Sequence, residues 1–96
     1  MSSNAQIKRV SNDEVKTVKF YPNPASSFIN FEFSENYNDS YSLVIFNFIG
    51  KKVEDFKVTD QKITVSLTEF YRGLYIFQLR DKQGIIVESG KFQVVK

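Results

Sequence analysis

In residues 27–33 the apolar residues Ile29, Phe31 and Phe33 share one parity, and Phe28, Asn30 and Glu32 take the other. Successive side chains of a strand point to opposite faces, whereas helical apolar positions recur every three or four residues. This period-two pattern therefore describes a strand with one buried side. The pattern returns in short runs along the chain. Ile63, Val65 and Leu67 alternate after Lys62, and Tyr75, Phe77 and Leu79 alternate in residues 74–80. Residues 41–48 are apolar on both parities, with Tyr41, Leu43 and Ile45 on one and Val44, Phe46 and Phe48 on the other. Such a strand is either central in its sheet or carries an exposed apolar side. Residues 18–21, a return strand over 51–58 and a last stretch over 85–95 bring the total to about seven strands. Helical amphipathicity is convincing nowhere.

The segments between these runs carry turn chemistry. Pro22-Asn23-Pro24 has two fixed φ angles and two missing N–H donors, so no sheet continues through it. Asn47-Phe48-Ile49-Gly50 predicts a tight hairpin, with Asn starting the turn and Gly supplying positive φ, and Asp81-Lys82-Gln83-Gly84 repeats it. Val53 breaks parity with Phe56 and Val58, which predicts a β-bulge near Glu54–Asp55. Gly90 inside the last strand predicts a second bulge or bend. Residues 68–72 read as a turn or short helical loop before Gly73 re-enters a strand. Strands at this spacing predict an all-β, immunoglobulin-like β-sandwich of about seven antiparallel strands.

A chain of 96 residues accommodates one such domain. Its 10 Phe and 5 Tyr concentrate apolar area in large rings, and a few well-placed rings can carry a small core. Phe31, Phe33, Tyr75 and Phe77 are the predicted core rings; Phe28, Phe46, Phe48, Phe70 and Tyr71 fit the core parity less readily. Residues 1–17 are polar with scattered apolar positions and read as a flexible leader, leaving 18–96 as the folded domain. The small positive excess lies on Lys8, Arg9, Lys16 and Lys19, while the rest of the chain is balanced. Phosphate neutralisation needs basic residues on the folded part, so nucleic acid is not an expected partner.

With no Cys and no His, thiolate or imidazole zinc sites and the corresponding nucleophilic mechanisms are excluded. No apolar run reaches the length of a membrane helix, so no stable membrane insertion is expected. The first 19 residues also lack the apolar core of a signal peptide. That leaves two settings, a cytoplasmic protein or a piece of a longer secreted one.

Catalytic constellations are absent from the pattern. Glu54 and Asp55 are adjacent on a strand and therefore point to opposite faces. Asn36-Tyr37-Asn38-Asp39 offers oxygen ligands for Ca²⁺ but lacks the carboxylate density of a calcium loop, so no metal or cofactor is expected. Exposed rings could stack on sugars, although the chain has no Trp. Val44, Phe46, Leu74 and Ile76 lie on the faces of their strands opposite the predicted core. If those strands are neighbours, the four form an apolar outer patch suited to docking.

The order of the motifs resembles a known family. Phe20-Tyr21-Pro22-Asn23-Pro24-Ala25-Ser26 resembles the opening of type A C-terminal sorting domains of the type IX (Por) secretion system of Bacteroidetes. Residues 42–53, a hydrophobic strand, a turn ending in Gly50, a basic pair and Val53, look like the middle motif. Val65-Ser66-Leu67 followed by Gly73-Leu74-Tyr75 is similar to the later Leu…Gly-x-Tyr motif. Gly90-Lys91-Phe92-Gln93-Val94-Val95-Lys96 is similar to the terminal Lys-bearing strand. The resemblance covers residues 18–96. It departs at Asn47, where Asp is frequent, and at Tyr71-Arg72, where a smaller residue is common.

The resemblance implies a non-catalytic domain covalently linked to a larger cargo. It implies recognition by type IX translocon components, passage across the outer membrane and removal by a sortase-like peptidase. The polar leader would hold the cleavage bond, and the secreted or surface location would belong to the parent protein. The terminal strand, Lys91 to Lys96, would present an edge or charged tag. The competing expectation is an adhesive immunoglobulin-like or carbohydrate-binding module.

Overall fold

The computed structural model describes residues 18–34 and 40–96. The expectations about the leader and about the oxygen-rich loop at Asn36–Asp39 fall outside the described residues. Seven strands form two sheets: β1 (Val18–Tyr21), β2 (Phe28–Phe33), β3 (Ser42–Asn47), β4 (Lys52–Lys57), β5 (Lys62–Ser66), β6 (Gly73–Arg80) and β7 (Ile86–Val94). One sheet has the order β1-β2-β5 and the other β4-β3-β6-β7, with every strand pair antiparallel. The expected all-β sandwich is therefore what this sequence forms. Its fourth strand pairs with the third, whereas the constant-type immunoglobulin arrangement places that strand in the opposite sheet.

The core follows the parity of the sequence. Ile29, Phe31 and Phe33 of β2 and Val65 of β5, with Leu67 just beyond it, face Leu43 and Ile45 of β3, Tyr75, Phe77 and Leu79 of β6, and Phe92 and Val94 of β7; all are buried. Phe31 joins the two sheets. Its ring lies edge-on to Phe77 at 5.2 Å and to Phe92 at 5.9 Å, and stacks with Phe20 at 6.3 Å. Edge-to-face contacts of this kind add to the stabilisation that burial alone provides.

Both Asx-x-x-Gly hairpins form by one mechanism. The Gly50 N–H donates to the Asn47 carbonyl at 2.9 Å, and the Asn47 side-chain Oδ1 accepts from the N–H of Ile49 and Lys51. Asp81 does the same for Gly84, Gln83 and Ile85. The side-chain oxygen satisfies turn donors that no strand partner reaches, and glycine at φ +92° or +84° closes each turn.

Three local expectations need correction. The β4 bulge is at Val53, not Glu54–Asp55, because Ile45 pairs with Glu54 while Phe46 pairs with Lys52. The hairpin fixes the register at Lys52, so the extra residue is absorbed immediately after it. Gly90 is neither bulge nor bend: it pairs regularly with Phe77, and the irregularity lies at Val87, skipped between Leu79↔Glu88 and Arg80↔Ile86. Phe70 is a core residue. The loop turns back through a bond from the Phe70 N–H to the Leu67 carbonyl, and the ring packs 5.0 Å from Tyr75, closing one end of the sandwich.

Candidate functional site

After Tyr21 the chain leaves one sheet and reaches the edge of the other. The two prolines cannot extend β1, and both the Tyr21–Pro22 and Asn23–Pro24 bonds are cis. Three hydrogen bonds then tie Asn23 and Ala25 to the end of β7. The Ala25 N–H donates to the Gln93 carbonyl at 2.8 Å, and the Val95 N–H donates to the Ala25 carbonyl at 2.8 Å. The Gln93 N–H donates to Asn23 Oδ1 at 3.0 Å. Ala25 thus makes a parallel bridge to Val94 and is wholly buried.

This clasp changes the picture of the terminal strand. β7 is an edge strand, but its edge is closed at residues 93–95 by a segment about 70 positions away in the sequence. Phe92 and Val94 point into the core. Lys91 pairs across from Ile76 on the outer side. Lys96 donates from Nζ to the carbonyls of Leu67, at 2.6 Å, and Thr68, at 3.3 Å. It thereby anchors the last residues to the loop between β5 and β6.

The same loop is held by Tyr75. Its hydroxyl donates to the Tyr71 carbonyl at 2.7 Å, the tyrosine-corner contact of β-sandwiches. Gly73 connects the loop to β6 at φ +146°, a conformation essentially reserved for glycine. Burial pushes the Tyr75 phenol above its ordinary pKa. The folded state therefore favours the protonated phenol. Its stabilisation is complete below about pH 10 and is lost as the pH rises through the raised value. Tyr75→Phe is expected to lower stability by about 1 kcal/mol at neutral pH. It should also flatten the decline above pH 10, as read by urea denaturation at stepped pH.

The outer face of the larger sheet is less open than its sequence implies. β3 and β6 are neighbours, and Phe46 pairs with Ile76. Both are half-buried and Leu74 is exposed, but Val44 is only 3% exposed and offers no contact surface. The Arg80 guanidinium is bonded to Gln78 and stands 5.8 Å over the Phe46 ring. Beside this face, Phe48 and Ile49 project from the hairpin tip. Tyr71, at 84% exposure, borders a cleft of about 230 Å³ with Lys51, Glu54 and Glu69. Glu54 and Asp55 oppose Ile45 and Val44 respectively, and so face opposite sides of β4. Among the described residues, no three His, Cys, Asp or Glu side chains are grouped to hold a metal.

Most of the quoted motifs meet at one end of the sandwich. The Pro-Asn-Pro segment, Leu67, Gly73, Tyr75 and the terminal residues 93–96 are linked by the bonds above. The structural roles of Ala25 and of the Leu67 carbonyl carry no sequence signal, since neither involves a distinctive side-chain chemistry. The family model of the secretion system C-terminal sorting domain matches residues 19–94. The chain belongs to that family. No curated protein matches the sequence. In this sorting domain the matched region runs from within β1 to the end of β7 and so takes in the whole sandwich. The family makes the domain a C-terminal sorting signal of a secretion system, carried by a larger protein destined for export.

Proposed function

We propose that this sandwich is a non-catalytic address that directs its cargo through the outer-membrane type IX translocon, and that a sortase-like peptidase then removes it by cutting before Val18. The family match over residues 19–94 carries the reading. Two structural features support it. Most of the motifs are brought together at one end of the fold by hydrogen bonds, as a recognition surface requires. The adjacent acids Glu54 and Asp55 are divided between the two faces of β4, which disfavours paired carboxylate chemistry.

Residues 18–96 fused behind a reporter with a signal peptide test this in a type IX-competent cell. The reporter should reach the surface or medium, and should stay periplasmic in a strain lacking the translocon. Retention in the competent strain overturns the reading. Deleting residues 91–96 would be a poor test, because Phe92 and Val94 belong to the core and their loss would unfold the domain. Exposed point substitutions separate folding from recognition.

A further inference from the structure

Residues 20–96 carry as many acidic as basic side chains, but the fold sorts them. Strand register places Lys52, Lys57, Arg80 and Lys91 on the outer face of the larger sheet, where Asp55 is the one carboxylate that its strands contribute. At the far end of this face Asp81 and Lys82 add one charge of each sign. Glu54 and Glu88 have the inward parity, across from the core residues Ile45 and Leu79. The smaller sheet differs: on its outer face Glu32 stands between Lys19 and Lys62 in register and offsets one of them.

The cations frame an apolar centre. Lys52, Phe46, Ile76 and Lys91 form one row across the four strands, an apolar pair with a lysine at each edge. Leu74 follows on the same face of β6 and is exposed. Beside it the β3–β4 hairpin, which leaves the sheet at Asn47 across from Tyr75, projects Phe48 and Ile49, each 72% exposed. Lys52 is paired with Asp55 at 3.1 Å, and Lys57, Lys82 and Lys91 are exposed. Arg80 bonds Gln78 through Nε and Nη2, which leaves further N–H donors on its guanidinium.

We infer that this face docks reversibly on an anionic lipid surface. The sheet lies face-down, Phe48 and Ile49 enter between the headgroups, and Lys52, Lys91 and Arg80 meet the phosphates. Cations gain from the negative surface potential, and the apolar tip gains by leaving water. Projecting side chains need matching pockets on a folded partner, whereas a bilayer admits them without any. That difference favours lipid over an acidic protein. The contact is peripheral, since no helix of the described residues is long and apolar enough to cross a membrane. It goes beyond the sorting role and draws on no property of the export machinery.

Sedimentation of the full chain tests it, with vesicles of phosphatidylcholine alone or mixed in equal parts with phosphatidylglycerol. The chain should pellet with the mixed vesicles only, and added salt should release it, because screening weakens attraction between exposed charges. Lys91→Glu should weaken binding about tenfold or more, as should Phe48→Ser combined with Ile49→Ser. Lys62→Glu, the same charge change on the other sheet, should bind normally. These side chains are exposed, so the variants should melt within a few degrees of the unmodified chain. Phe48→Trp gives the chain its only tryptophan, whose emission should shift to the blue with mixed vesicles as the ring leaves water. Absence of pelleting with mixed vesicles overturns the proposal, as does binding that Lys91→Glu leaves intact. An equal loss in Lys91→Glu and Lys62→Glu would mark a net-charge effect and overturn it too. Binding to polyglutamate but not to vesicles, abolished by Lys91→Glu, would assign the face to an acidic protein and overturn a lipid occupant. The assay involves no export, so its failure leaves the sorting reading standing, and a reporter retained in the periplasm leaves this inference standing.

Discussion

Gly90→Ala is expected to destabilise the domain by about 1–3 kcal/mol, although alanine within a strand ordinarily gains roughly 0.5–1 kcal/mol over glycine. The reason is space. A Cβ at position 90 would stand 2.6 Å from Cε2 and 2.7 Å from Cζ of Phe77, and 3.5 Å from Cε1 of Phe20. The Phe77 ring cannot swing aside, because it is fully buried and held edge-on by Phe20 at 4.9 Å and Phe31 at 5.2 Å. Relief must come from outward movement of β7 around residue 90, before the stretch at 93–95 that Asn23 and Ala25 hold. Each kcal/mol should lower the melting temperature by about 4–8 °C in a domain of this size. Combining Gly90→Ala with Phe77→Leu should cost less than the two separate losses together, since the smaller side chain admits the methyl group. A melting temperature raised by Gly90→Ala alone would refute the packing argument.

Phe31→Ala has the larger expected effect, about 3–5 kcal/mol, because it removes a fully buried ring and leaves a cavity between the sheets. Phe31 touches Phe20 of its neighbouring strand and Phe77 and Phe92 of the opposite sheet, so one truncation withdraws three aromatic contacts. Domains are stable by only about 5–15 kcal/mol in total, which makes this loss a large fraction of the whole. Phe28→Ala is the internal comparison. Phe28 belongs to the same strand on the opposite parity and is 45% exposed. Its loss should be about 1 kcal/mol or less. Urea denaturation of both variants measures the difference. Equal losses would mean that the two faces of β2 are not the buried and exposed sides seen here.

If export requires the folded domain, Phe31→Ala acts through stability, and its export defect is relieved at lower temperature. Tyr75 ties the core to the loop before β6, since its hydroxyl bonds the Tyr71 carbonyl while its ring stacks on Phe92 at 5.6 Å.

The strands, their inward parity and both hairpins were legible in the residues themselves. Alternation over two positions and an Asx-x-x-Gly turn over four are local patterns, enforced by backbone geometry wherever the strand ends up. Ile29, Phe31, Tyr75 and Phe77 were assigned to the core on parity alone, and all are buried. The motif order pointed to a sorting domain, and the family match over 19–94 agrees. Phe70 escaped because parity has no meaning in a loop; only the turn back to Leu67 carries its ring inward.

Tertiary packing decided the rest. Which strands become neighbours depends on how both sheets bury their rings together, and no local pattern encodes that choice. In the sequence Gly90 reads as a backbone irregularity; in the fold the ring of Phe77 occupies the space above it. The sequence marks Pro22-Asn23-Pro24 as a break between strands, and only the fold bonds Asn23 and Ala25 to Gln93 and Val95. The alternation that begins with Ile29, Phe31 and Phe33 set which side of each strand is buried. The pairing of the sheets brought Pro22–Ala25, Gly73 and Lys96 to one end, because backbone donors left free at a sheet edge take whichever acceptors the fold brings within reach.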